Sequence, residues 1–144
     1  RSSDLRPTWD KHFINMALTT AEMSTCPRAS VGCVIVAGGR YIVSTGHNGS
    51  IAGEPHCTDE GCIISDGHCV RTLHAESNAI NIAKRVSGLD VTGMTMYCTH
   101  APCWFCAQYI VGSGISKVFY LNAYVPTDGL DYLSKYIQVE RINL

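Results

Sequence analysis

Two apolar runs, Ser30–Ala37 (SVGCVIVA) and Arg40–Thr45 (RYIVST), flank Gly38-Gly39. A glycine pair in this position, free to adopt positive φ at both turn residues, is the signature of a two-residue β-hairpin. The hairpin fixes two antiparallel neighbours, and the rest of the chain cannot continue the same way. A helical pattern from about Thr72 to Val86 leads to strand-like Gly93–Thr99 (GMTMYCT), and Pro102 then starts a helix to about Ser113. The next strand is Lys117–Leu121 (KVFYL), then come a weak helix over Asp128–Lys135 and a last strand over Gln138–Ile142. Ahead of the hairpin, Thr8 to about Thr25 carries Trp9, Phe13, Met16, Ala17 and Ala21 at helical spacing, with Thr8 as N-cap and Cys26-Pro27 as the stop. The order is α-β-β-α-β-α-β-α-β. Strands separated by helices pair in parallel through crossovers, so the reading is an α/β fold with a mixed sheet covered by helices.

A chain of 144 residues has room for one domain, taken here as 1–144, with an insertion rich in Gly, His and Cys over about 46–71. That insertion is too long to be an idle loop in so small a domain, and something should staple it. Hydrophobic residues make up 46% and charged ones 16%, which excludes disorder over long stretches. A net charge of -1 argues against a broad electrostatic grip on nucleic acid or on an anionic membrane, while leaving room for a local anion pocket. No apolar run approaches the roughly 18 residues of a membrane span, and the start of the chain lacks the apolar core of a secretion signal. The expectation is a soluble, cytoplasmic protein.

Eight cysteines without a secretion signal point to metal or redox chemistry before disulfides. His74-Ala75-Glu76 and Pro102-Cys103-Trp104-Phe105-Cys106 each fall at the start of a helical pattern. Alone, either is weak: a Cys-x-x-C can be a structural zinc site, a redox pair or chance, and Glu76 can be a capping or surface carboxylate. Together, in this order, they form the signature of zinc-dependent nucleobase deaminases. Cys103 and Cys106, three apart at a helix start, share one face, and the N–H groups there favour thiolates. Zinc held by these two and by His74 keeps a fourth tetrahedral position open, as in catalytic sites. Glu76 would take a proton from water there and pass it to a substrate ring nitrogen. In a regular helix it would point about 200° away from His74, so the first turn must be irregular. Cys33 and Cys98, inside strand patterns, read as buried core thiols.

At these residues the chain resembles the deoxycytidylate (dCMP) deaminases of the zinc-dependent cytidine deaminase superfamily, which include phage and viral members. The match runs over about residues 8–124. It takes in Ser24-Thr25-Cys26-Pro27-Arg28, Val31–Val36, Gly46-His47-Asn48-Gly49-Ser50, Pro55-His56-Cys57, Gly61-Cys62, His68–Thr72, His74–Ile80 and Cys98–Ala107. The resemblance implies the cytidine-deaminase-like three-layer α/β/α fold with a five-stranded mixed sheet. It implies hydrolysis of dCMP to dUMP, feeding thymidylate synthesis, in a homohexamer activated by dCTP and inhibited by dTTP with Mg2+. It also implies His74, Cys103 and Cys106 as ligands of catalytic zinc and Glu76 as proton shuttle. Asn48 would contact the sugar and Tyr124 would lie near the substrate. Ser24 and Arg28 would face the phosphate, a charge suited to Arg28. Arg28 and Tyr124 can equally be solvated surface residues.

The resemblance places effector binding at Gly46, His47, Asn48 and Gly49, where His47 stands in place of the family's usual Tyr. Arg85 aligns with a basic position linked to regulation, and it is also the kind of charge a helix C-terminus favours. The remaining cysteines exceed the needs of one zinc. A second, structural zinc on Cys26, Cys57, His68 and Cys69, with Cys62 or His56 as substitutes, would pin the long loop to the end of the first helix. The competing activities are deamination of dCTP as well as dCMP, deamination of another base or nucleoside, and a non-catalytic zinc-stapled nucleotide-binding module. Glu76 opposes the last, since a structural zinc has no use for a general base.

Overall fold

The computed structural model describes residues 5–26, 29–49, 56, 59, 61–62 and 73–144, and the backbone of 64–65 and 68–69. The elements in chain order are α1 (Trp9–Ala21), β1 (Gly32–Ala37), β2 (Tyr41–His47), β3 (Ile64–Ser65), β4 (His68–Cys69), α2 (Ala75–Arg85), β5 (Thr95–His100), α3 (Trp104–Ser113), β6 (Lys117–Asn122), α4 (Asp128–Tyr136) and β7 (Gln138–Arg141). Five strands form one sheet in the order β2-β1-β5-β6-β7. β1 runs antiparallel to both β2 and β5, whereas β5, β6 and β7 are parallel. This is the mixed, helix-covered sheet expected from the element order. β3 and β4 form a separate two-stranded sheet within the insertion, which sequence pattern alone left irregular.

Local chemistry accounts for the ends of the elements. The Thr8 hydroxyl accepts the Lys11 N–H at 3.2 Å and caps α1 as its sequence position foretold. Gly38 and Gly39 have φ of +61° and +72°, and the Arg40 N–H closes the turn on the Ala37 carbonyl. Pairing resumes at Tyr41 opposite Ala37, one residue later than a two-residue hairpin allows, and the register shifts at Ile35/Val36. α2 and α3 both begin later than their sequence patterns suggest, because His74 and Cys103 are extended N-caps rather than helical residues.

β1 has buried residues at every position from Gly32 to Val36, which explains its unbroken apolar run. Val34 and Val36 face α1 and pack with Phe13, Ile14, Ala17, Tyr97 and Phe119. Cys33 and Ile35 face the other way, with Met96, Cys98 and Val118, into the layer of α2, α3 and α4. Two glycines bring helices against the sheet. A Cβ on Gly32 would meet the Ala17 carbonyl and lie 2.6 Å from the Ala21 nitrogen; a Cβ on Gly46 would meet the Ala75 carbonyl and lie 2.5 Å from the Ala79 nitrogen. Among the described residues no helix is long and apolar enough to cross a membrane.

Gly46→Ala should therefore push α2 off β2 and cost about 1–3 kcal/mol of folding stability, the range for an added methyl group in a filled core. Urea denaturation monitored by circular dichroism measures it, and an unchanged midpoint would show that the close approach is dispensable.

Candidate active site

Three strand and helix junctions meet at one end of the sheet. β2 ends at His47 beside Gly32 at the start of β1, and Cys33 of β1 lies opposite Cys98 near the end of β5. The chain leaving β5 turns through Ala101-Pro102 into α3, held by the Ala101 N–H on the Asn122 carbonyl and the Asn122 amide on the Thr99 carbonyl. α4 braces this corner: a Cβ on Gly129 would overlap the Pro102 carbonyl and lie 2.7 Å from the Cys103 carbonyl carbon. No sequence signal singled out Gly129.

His74 caps α2 with φ −77° and ψ 151°, and Cys103 caps α3 with φ −74° and ψ 173°. The two helix starts point their capping side chains at each other. His74 Nδ1 lies 3.1 Å from Cys106 Sγ and 3.5 Å from Cys103 Sγ, and the three ligand atoms lie within 4.8 Å of one another. Tetrahedral zinc with bonds of about 2.0–2.3 Å spaces its ligand atoms by roughly 3.3–3.8 Å, so the pair at 3.5 Å already matches and the pair at 3.1 Å need open only slightly to hold such an ion. Exposure falls from His74, which is exposed, through half-buried Cys103 to buried Cys106, so the cluster is open on the imidazole side.

The extended backbone at His74 resolves the helical phase problem. Glu76 is the second helical residue counted from Ala75, and the 100° step of a helix does not apply across the cap. Its carboxylate is buried, 4% exposed, and accepts a hydrogen bond from the Cys33 thiol at 3.5 Å. Burial pushes the Glu76 carboxyl above the ordinary glutamate range, while a hydrogen bond with Cys106 pulls it back. Cys103 is drawn down to about 4, first by its hydrogen bond with Cys106 and then, against the effect of burial, by His74. The Cys106 thiol, as the proton-holding partner, moves up. Hydrogen bonding to Cys103 raises the His74 imidazole. The group thus offers one imidazole nitrogen and two sulfurs that would bind a metal in their deprotonated forms, with the displaced protons going to solvent.

The other expected site residues occupy varied settings. Tyr124 is half-buried; burial first, then the charges of Cys103, Asp128, Cys106 and Glu76, raise its phenol. Asn48 is buried, its Oδ1 accepting the Val31 N–H at 2.9 Å and its Nδ2 donating to the Ala29 carbonyl at 2.7 Å. The Ser24 hydroxyl accepts the Cys26 N–H at 3.2 Å. Gly49 pairs its N–H and carbonyl with Leu73, while the Asn78 amide donates to the His47 carbonyl. Arg85 is exposed in the last turn of α2. Arg28 and Cys57 lie outside the described residues, and for His68 and Cys69 only the backbone, in β4, is described. Cys26 Sγ stands 4.0 Å from Cys62 Sγ, the residue named as a substitute ligand. Cys33 and Cys98 are buried as expected, but they also lie against Glu76, and their strand parity, on the same face as Ile35 and Met96, carried that signal.

Against known proteins, the family model for the cytidine and deoxycytidylate deaminase zinc-binding region matches residues 7–122. The chain belongs to this family. Among its relatives, ComE operon protein 2 of Bacillus subtilis is 45% identical over 119 residues, covering 83% of this chain and 62% of the relative. Deoxycytidylate deaminase of Saccharomyces cerevisiae is 39% identical over 83% of this chain and 39% of its own length. The chain thus spans less than two thirds of those two relatives. Deoxycytidylate deaminase of Mycobacterium phage D29 is 37% identical over 80% of this chain and 95% of the relative. Among solved structures, the dCMP deaminase of cyanophage S-TIM5 in complex with dCMP and dUMP superposes with a TM-score of 0.82 at 32% identity, covering 96% of this chain and 100% of that one. The likeness confirms the α/β architecture, and the family's zinc-binding description agrees with the His74, Cys103 and Cys106 cluster.

Cys103→Ser and Cys106→Ser should each bring zinc content well below one equivalent at this cluster, because a neutral hydroxyl replaces a thiolate. Metal analysis of the dialysed variants measures it, and full retention would remove the residue from the ligand set.

Proposed function

We propose that this chain catalyses the hydrolytic deamination of dCMP to dUMP. The observation that carries the reading is the convergence of His74 Nδ1 with the Cys103 and Cys106 sulfurs, next to a buried carboxylate two residues from the histidine. Deoxycytidylate deaminase relatives, and the likeness to a structure that contains dCMP and dUMP, support the substrate.

His74, Cys103 and Cys106 would hold the zinc, which when bound supplies Lewis acidity that makes water nucleophilic at neutral pH. Glu76 manages the protons. Its carboxylate takes one from the attacking water, gives it to N3 of the cytosine as the C4–O bond forms, and assists the departure of the C4 amino group as ammonia. Water and dCMP thus give dUMP and ammonia. Burial of Glu76 raises its proton affinity, the direction a carboxylate needs to hold and release a proton near neutral pH. Tyr124 borders the base, Asn48 the sugar, and Ser24 with Arg28 the 5′-phosphate.

The same reading assigns a second zinc to Cys26 and the loop ligands Cys57, His68 and Cys69. The separation of 4.0 Å between the Cys26 and Cys62 sulfurs, close to the roughly 3.8 Å of two thiolates on one tetrahedral ion, supports a site there and favours Cys62 among the substitutes. Activation by dCTP and inhibition by dTTP, each with Mg2+, would act through Gly46–Gly49 and Arg85 in a cytoplasmic homohexamer built of one domain per chain. The Gly49 backbone groups are paired with Leu73 and glycines offer no side chain, so the side chains of His47 and Arg85 are the groups proposed to read an effector.

Glu76→Gln should retain zinc and lose about 10²–10⁴-fold in turnover, the scale of general acid–base catalysis. An ultraviolet assay on dCMP, dCTP, deoxycytidine and CMP, with and without dCTP or dTTP and Mg2+, measures both activity and regulation. Activity on none of them would overturn the reading, and indifference to both effectors would remove its regulatory part. Cys26→Ser should lose a second zinc equivalent while keeping the first. A wild-type protein that binds one equivalent per chain would refute the structural site.

A further inference from the structure

Beneath the proposed proton shuttle lies a thiol pair that the reaction has not yet used. Cys33 on β1 and Cys98 on β5 are partners across the antiparallel ladder, both fully buried, with their sulfurs 3.0 Å apart. Cys33 Sγ is also 3.5 Å from Glu76 Oε1. Each thiol has one proton, and an ionised carboxylate can only accept. While Glu76 is ionised the Cys33 proton points to it, which leaves Cys98 as the donor to the Cys33 sulfur. The chain of donors has one direction, from Cys98 through Cys33 to the carboxylate.

Two other uses of the pair fit less well. Two thiolates on one tetrahedral ion stand roughly 3.8 Å apart, so these sulfurs would have to separate to take a metal, whereas as thiols they are already in hydrogen-bond contact. Burial raises both thiols, which keeps them protonated and unreactive toward oxidants and available as donors. A hydrocarbon side chain at position 33 would fill the core equally well but would leave a buried carboxylate oxygen without this donor.

We infer that Cys33 is a positioning residue for Glu76, its thiol fixing Oε1 so that the carboxylate keeps one orientation through the proton transfers, with Cys98 orienting the Cys33 S–H. The inference rests on the proposed role of Glu76 as proton shuttle. A carboxylate free to rotate in its pocket would spend less time in the reactive geometry, so the loss belongs in kcat rather than in substrate binding.

The experiment uses the full chain loaded with zinc. Cys33→Val should lower kcat for dCMP about tenfold, the equivalent of one hydrogen bond to a charged group, with KM and zinc content unchanged. Cys33→Ser, which keeps a shorter donor, should recover part of the loss. The infrared S–H stretching band that disappears in either variant should shift in Glu76→Gln, a response that core packing alone does not produce. Wild-type kcat in Cys33→Val, a fall only in proportion to lost zinc, or an S–H band indifferent to Glu76→Gln would each overturn the inference. If the valine variant does not fold, the serine variant and the infrared comparison decide it. Full turnover in Glu76→Gln would instead overturn the role of Glu76 itself, whatever the Cys33 variants do.

Discussion

The site depends on one central strand pairing in the same sense with both of its neighbours. β1 lies antiparallel between β2 and β5, so those two strands are parallel to each other and finish at the same end of the sheet. α2 comes after the β2 end and the insertion, and α3 comes directly after β5. Their N-termini therefore face one another across the width of a single strand. Had β1 paired in parallel with only one of β2 and β5, His74 and Cys103 would start helices at opposite ends of the sheet. The two covered faces of β1 keep it central, and Gly32 and Gly46 allow helices to settle on either side.

Both outer ligands occupy cap positions, which has electrostatic as well as geometric consequences. A cap residue has extended dihedral angles, so its side chain projects past the end of the helix instead of along its flank. The unpaired N–H groups of α3 lie beside Cys103 and favour its anionic form, in the same direction as the hydrogen bonds that take it to about 4. Glu76 sits one residue beyond the first helical position of α2, where a negative charge is also favoured, yet burial dominates and raises it. A thiolate and a proton-hungry carboxylate thus arise within a few ångströms from opposite balances of the same two effects.

Much of this was legible in the residues. His74-x-Glu76 and Pro102-Cys-x-x-Cys announced the cluster because metal chemistry restricts which side chains can serve and where. The Gly38-Gly39 turn and the Thr8 cap came from local rules. Where reading fell short, the missing information was three-dimensional. Helical periodicity turned Glu76 away from His74, since nothing in the local sequence says that the histidine is outside the helix. Asn48 also bonds the backbone of Ala29 and Val31, contacts between distant segments of chain that periodicity cannot register. Spacing could name Cys62 only as a substitute partner of Cys26, and its 4.0 Å contact is tertiary information.

Gly49 and Leu73 exchange both of their backbone hydrogen bonds, at 3.1 and 2.8 Å, and so tie a neck at the base of residues 50–72, immediately before His74. Beyond such a knot, loop closure grows only with the logarithm of length, each doubling adding about 0.6 kcal/mol. The start of α2 is therefore fixed by the neck itself, whatever the length of chain between its two residues.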